Sequence, residues 1–187
     1  QRKVLGSHLT IMSLDALTFA GGCMLPALLA APFLWARRWT VLGLFLGAVA
    51  GLALAMGWID SAAIAAAEHR GMVGLQFALF TGGGVGLLAL AGADLWRRRD
   101  AESTLLALWI AGTLLFTGLV NWTVNARSVL PLIPAAGILL ARRLETRPLS
   151  SPRWRLLVTG APLLVSGLLS LGVTFADAEL ADSARRA

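Results

Sequence analysis

Residues 72–95 read MVGLQFALFTGGGVGLLALAGADL, 24 positions with one ionisable side chain, Asp94. As a helix at about 1.5 Å per residue this segment exceeds the roughly 30 Å hydrocarbon thickness of a bilayer. Backbone amides left unpaired in hydrocarbon are too costly to tolerate, so a segment of this composition is expected to be a helix. Gly82-Gly83-Gly84-Val85-Gly86 looks superficially like a phosphate-cradling loop, but no Lys-Ser/Thr follows it and it lies in the middle of the apolar run. With Gly43, Gly47 and Gly51 in the preceding run, Gly82 and Gly86 read instead as ridges of small residues along which helices approach closely.

Outward from this segment, five more apolar blocks follow the same logic, at about 13–36, 39–58, 104–121, 125–141 and 155–176. The chain therefore reads as an all-α integral membrane protein, a bundle of about six transmembrane helices forming a single domain over 1–187. Composition agrees, with 57% hydrophobic and 14% charged residues, the latter about half the share of a soluble domain. A soluble fold of this length has too little interior to hide so much apolar side chain. Indole favours the headgroup interface, and Trp35, Trp39, Trp58, Trp96, Trp122 and Trp154 all fall at block edges, with Trp109 alone inside one.

The formal net charge of +6 does not point to nucleic acid, because the basic residues cluster between apolar blocks rather than along a stripe with stacking aromatics. Arg37 and Arg38, then Arg97, Arg98 and Arg99, then Arg142, Arg143, Arg147, Arg153 and Arg155 occupy alternate connectors, and the others hold only Arg70 and Arg127. Short Lys/Arg-rich loops stay cytoplasmic. Six crossings then place both ends extracytoplasmic in a multi-pass protein of the cell membrane. Cys23 is the single cysteine, so no internal disulfide forms. The start, Gln1-Arg2-Lys3, reads as part of a longer chain.

Polar groups on the expected outer side are the candidates for chemistry. In Asn121-Trp122-Thr123-Val124-Asn125-Ala126-Arg127-Ser128, an outward Arg at the mouth of a span runs against the charge bias. A guanidinium there can grip a phosphate through paired hydrogen bonds, and Asn121 and Asn125 can serve sugar hydroxyls or phosphate oxygens. Pro131 falls in the first turn of the next helix, whereas Pro134 is expected to leave the carbonyl of Leu130 without its usual partner. The plainer alternative is an interfacial Arg reaching headgroups beside a kinked helix. A second, weaker set is the loop from Asp60 to Glu68, His69 and Arg70, with an Ala-rich middle fit for a short interfacial helix. Glu68 and His69 suit proton transfer and Arg70 an anion, and solvated loop charges are the competing reading. Asp177-Ala178-Glu179 and the glycosylation pattern Asn121-Trp122-Thr123 are common by chance, and no Cys/His metal set or Ser-His-Asp arrangement is available.

Residues 121–145, NWTVNARSVLPLIPAAGILLARRLE, resemble the late part of bacterial family-39-type membrane glycosyltransferases. That GT-C group includes dolichyl-phosphate-mannose protein mannosyltransferases and lipid A aminoarabinose transferases. Arg127, Pro131, Pro134, Arg142 and Arg143 carry the resemblance, and Ser128 stands where the group usually has a ring. The tail from Phe175 to Ala184 resembles the exit of a last span before an extracytoplasmic domain.

The resemblance implies transfer of a sugar from a polyprenyl-phosphate carrier to an extracytoplasmic acceptor. It implies a catalytic Asp upstream of residue 1, and Arg127, helped by Asn125, at the carrier phosphate. It also implies a divalent metal as candidate cofactor, for which this stretch offers no ligand set. The implied partners are the lipid bilayer and the polyprenyl-phosphate-linked sugar donor, with no nucleic acid. Two rivals remain on the sequence: a transporter or flippase subunit with a Pro-broken helix lining a path, and a non-catalytic scaffold that uses the glycine ridges.

Overall fold

The computed structural model describes residues 2–24, 37–58, 70–121, 124–146 and 151–186. Among them the chain is all-helical, with no strand. In order, the helices are α1 (Arg2–Cys23), α2 (Arg37–Ala55), α3 (Arg70–Arg98), α4 (Ala101–Leu115), α5 (Ala126–Val129), α6 (Leu132–Glu145) and α7 (Pro152–Arg186), and α4 runs on into a π-helix, Phe116–Val120. Two helices are long and apolar enough to cross a membrane, Gly71–Arg98 and Ala101–Val120. Ile11–Cys23, Thr40–Ala55 and Leu156–Gly172 are apolar but shorter. Residues 25–36 of the first expected block, the expected loop helix between 60 and 69, Trp35 and Trp122 lie outside the described residues.

The chain forms two compact units, Gln1–Arg147 and Pro148–Ala187. In the first, α3 packs against both α1 and α2. The glycines make the α2–α3 contact a backbone contact. A Cβ added at Gly43 would come within 3.0 Å of the Gly82 carbonyl oxygen, and one at Gly47 or Gly51 would overlap the carbonyl of Ala78 or Gly74. The paired numbers rise on α2 as they fall on α3, so the two helices run antiparallel over about two turns. The ridge expected from spacing is the actual seam, and Gly82–Gly86 is helix rather than loop. On another face of α3, Thr81 and Thr18 of α1 share a hydrogen bond of 2.8 Å.

Local rules set the ends. Gly57, at φ +76, closes α2: its amide donates to Leu54 O and the Trp58 amide to Ala53 O, the Schellman pattern that spares a side chain the left-handed penalty. Arg99 closes α3 in the same region at φ 51 without that freedom, and its guanidinium lies 5.0 Å from the centroid of Trp96. Asp100 then starts α4, so α3 and α4 form a tight hairpin.

Ser103, Leu106, Ile110, Leu114 and Thr117 recur at helical spacing as the buried stripe of α4 and its π extension. Of these, Leu106, Ile110 and Leu114 share one buried cluster with Leu132, Ala135, Ala136 and Leu139 of α6 and Ala16 and Ala20 of α1. The opposite faces are also apolar: Val41, Leu44, Phe45, Val49 and Leu52 on α2 and Leu105, Leu108, Leu115 and Phe116 on α4 are exposed. In the second unit Ser151 receives the Trp154 amide at 3.3 Å and Pro152 opens α7, where its missing amide costs nothing. Pro162 lies within α7, which continues past the expected limit near 176 to Arg186.

Candidate functional site

The stretch from Thr117 to Ser128 is built by two helix ends that face each other. The π-helix ends with the Asn121 amide donating to Phe116 O at 2.9 Å, and Asn121 itself is extended. A π turn inserts one residue beyond the α repeat and often marks a functional segment; nothing in the Phe116–Val120 sequence announced it. Four residues further on, Asn125 is the N-cap of α5, its side-chain oxygen accepting the Ser128 amide at 3.0 Å and the Ser128 hydroxyl at 3.1 Å. Asn121 Nδ2 donates to Ser128 Oγ at 2.6 Å, and the buried Thr117 hydroxyl donates to Ser128 O at 3.0 Å. Ser128 is thus the hub that ties the end of α4 to the start of α5.

The sequence-predicted trio is brought together, though with divided roles. Asn121 and Asn125 spend the named groups on Ser128, whereas Arg127, the residue before Ser128 on α5, is exposed and makes no ion pair among the described residues. Of the weaker set, Glu68 and His69 lie outside the described residues, and Arg70 is the first residue of α3.

Pro134 has no amide to offer Leu130 O, as expected, and a neighbouring amide takes its place. The Ile133 amide donates to Leu130 O at 3.0 Å. The expected span 125–141 is split, because Pro131 is the N-cap of a new helix and Pro134 falls in its first turn, where backbone amides have no intrahelical acceptor anyway. Across the gap, Trp109 Nε1 donates to Pro131 O at 2.9 Å. That bond gives the one indole inside an apolar block the partner it requires.

The far end of the same helices holds a cluster the sequence reading assigned to topology alone. Arg98 Nε lies 3.4 Å from Asp94 Oδ1 and Arg142 Nη1 3.5 Å from Asp94 Oδ2, while Arg142 also pairs with Glu102. The chain from α3 through α4 to α6 is therefore tied by charge. Beside it, Asp100 accepts the Ser103 hydroxyl and, at 2.8 Å, the Ser103 amide. These two bonds, aided by Arg142 and Arg98, hold its carboxyl below the ordinary carboxylate range. Glu102 and Arg142 are 40 positions apart, so no local spacing could have paired them. Asp100-x-x-Ser103 and Asn125-x-x-Ser128 carry the residue types of N-caps, a signal in the sequence that the expectations did not use.

A cavity of about 250 Å³ is lined by Thr18, Phe19, Gly22, Cys23 and Phe80. The Thr18 hydroxyl there is already bonded to Leu14 O and Thr81, so it offers no convergent polar groups. Among the described residues no three His, Cys, Asp or Glu gather to hold a metal ion. The described residues thus offer no donor set for a divalent metal. What the Thr117–Ser128 corner offers chemically is a cation beside a fixed set of neutral hydrogen-bonding groups, suited to an anionic headgroup. No protein-family model, curated protein or solved structure matches the chain.

Proposed function

We propose that this chain is the later transmembrane part of a GT-C-type glycosyltransferase that moves a sugar from a polyprenyl-phosphate carrier to an acceptor outside the cytoplasm. In this reading the chain crosses the bacterial inner membrane six times with both ends extracytoplasmic, and Arg127 faces outward. Support for the bilayer comes from the exposed apolar faces of α2 and α4, since a helix that is apolar toward solvent suits hydrocarbon and not water. Alternation of basic and neutral connectors supports the orientation. The resemblance of residues 121–145 supports the reaction.

One observation carries the assignment of the site: Arg127 is an exposed guanidinium with no ion pair among the described residues, one residue from a hydrogen-bonded hub. It stands in the second position of a helix, where a cation gains nothing from the peptide dipoles. Around it the Thr117 hydroxyl, Asn121 Nδ2 and Asn125 Oδ1 are all engaged on Ser128. During transfer the bond between the anomeric carbon and the phosphate oxygen breaks, and negative charge collects on the departing carrier phosphate. A forked guanidinium at that point stabilises the charge as it develops.

The test is Arg127→Ala in the full chain, assayed for transfer from a polyprenyl-phosphate sugar in membranes. Loss of a charge-assisted contact predicts a fall of roughly 10- to 100-fold, with insertion and abundance unchanged. Arg127→Lys restores part of it, because an ammonium keeps the charge and loses the fork. Transfer at the parental rate in Arg127→Ala removes the residue from the site.

A further inference from the structure

We propose that Ser128 is a positioning residue for Arg127: its hydroxyl and backbone lock the first turn of α5, so that the guanidinium meets the carrier phosphate already oriented. The inference rests on the carrier-phosphate reading of Arg127 and adds what holds that side chain in place.

Four hydrogen bonds converge on the one residue. The Ser128 amide donates to Asn125 Oδ1 at 3.0 Å and the hydroxyl to the same oxygen at 3.1 Å. The hydroxyl accepts from Asn121 Nδ2 at 2.6 Å, and the Ser128 carbonyl accepts from the Thr117 hydroxyl at 3.0 Å. A hydroxyl is one donor with acceptor capacity to spare, so Ser128 can satisfy Asn125 and Asn121 together. No apolar residue of similar size can do both. Thr117 is fully buried and Val129, the next residue along, is 1% exposed, so the hub is anchored in the core while Arg127 beside it is exposed.

α5 is only four residues long, too short to be helical through its own backbone bonds. Its conformation depends on the cap and the hub. A loose α5 leaves Arg127 to sample many orientations, and each productive encounter then carries the entropy of ordering it. Ser128 thus acts through Arg127 and touches no substrate itself.

Three variants of the full chain, Arg127→Ala, Ser128→Ala and the double variant, are measured for binding of polyprenyl phosphate in nanodiscs of zwitterionic lipid. Backbone amide exchange over 124–130 is followed in parallel. Ser128→Ala is expected to weaken carrier binding about 5- to 10-fold, the value of a lost neutral hydrogen bond or two, and to deprotect 124–130. Ser128→Thr, which keeps the hydroxyl, retains most of the affinity. In the Arg127→Ala background, Ser128→Ala adds no further loss of binding.

A general folding defect would lower binding in both backgrounds, fail to be rescued by Thr and deprotect helices beyond α5, and that pattern overturns the proposal. If Arg127→Ala weakens binding and Ser128→Ala does not, the positioning role fails and the carrier-phosphate reading stands. If neither alters binding, both fall together.

Discussion

Asp100-Ala101-Glu102-Ser103 and Asn125-Ala126-Arg127-Ser128 are two versions of one device at opposite ends of α4. Each is an N-cap whose side-chain oxygen takes the amide and the hydroxyl of the serine three residues on. Each places Ala first and a charged residue second in the helix. The differences are the charge of the cap and the fate of that second residue. Glu102 pairs with Arg142, which also faces Asp94. Arg127 pairs with no carboxylate among the described residues. At one end, charges are consumed in holding α3, α4 and α6 together. At the other, neutral groups do the holding and leave a cation unspent. An arginine at a helix end therefore says little until its partner is known.

The widest separation between the ends is expected in stability. Arg142→Ala leaves the Asp94 carboxylate with Arg98 alone and takes the partner from Glu102, and both side chains of the Asp94–Arg142 pair are only 17% exposed. Removing one partner of a largely buried pair costs about 3 kcal/mol when the other charge is left alone, and the Arg98 contact that remains lowers the expected loss to about 2 kcal/mol. Arg127→Ala, at an exposed residue without such a pair, is expected to shift stability by less than about 0.5 kcal/mol. Unfolding of both variants in the same bilayer mimetic makes the comparison. Asp94→Asn combined with Arg142→Met should recover part of the loss, since the Asp94–Arg142 pair is then neutral on both sides and only the more exposed Arg98 and Glu102 lose a partner. Equal costs at 142 and 127 would erase the distinction.

A smaller effect is expected midway. Trp109→Phe keeps a ring on α4 but removes the donor to Pro131 O, worth about 1 kcal/mol. Because this bond spans the break before α6, the variant should loosen α4 against α6 while leaving Ser128 bonded to Asn121 and Asn125. Amide exchange of Ser128 at its parental rate, beside a lowered unfolding midpoint, is the expected pair of readings. Deprotection of Ser128 in this variant would mean that the neutral hub is not self-supporting.

These contrasts also mark what the residues alone disclose. Helical class, the glycine seam and the nearness of Asn121, Asn125 and Arg127 were legible, because each is a local matter of periodicity, residue size or short spacing along the chain. The α2–α3 seam follows from spacing that any helix would convert into a ridge. The π turn at Phe116–Val120, the Trp109–Pro131 bond and the Arg142 cluster were not legible. They depend on which helices become neighbours, and the Glu102–Arg142 pair joins positions 40 apart. Pro134 does withhold the usual partner of Leu130 O, but its cost depends on where the helix begins. With Pro131 as N-cap, Pro134 falls in the first turn, and no carbonyl is orphaned there.

The smallest expected effect separates the two caps most cleanly. The Asp100 carboxyl is held below the ordinary range chiefly by the Ser103 hydroxyl and amide. A group with a depressed folded-state value stabilises the fold fully above its unfolded value and loses that contribution as pH falls through the lower one. Protection of the Ser103 amide, corrected for intrinsic exchange, should therefore persist at about pH 4, where an ordinary Asp is half protonated, and fade only in stronger acid. The Ser128 amide rests on the uncharged oxygen of Asn125 and should keep its protection over the same window. Asp100→Asn should abolish the acid response at the first cap, and Asn125→Asp should create one at the second. Simultaneous loss at both amides in the parental chain would reveal global unfolding rather than a titrating cap. Loss at Ser103 beginning near the ordinary Asp value would mean that Ser103 does not hold the carboxylate in its charged form.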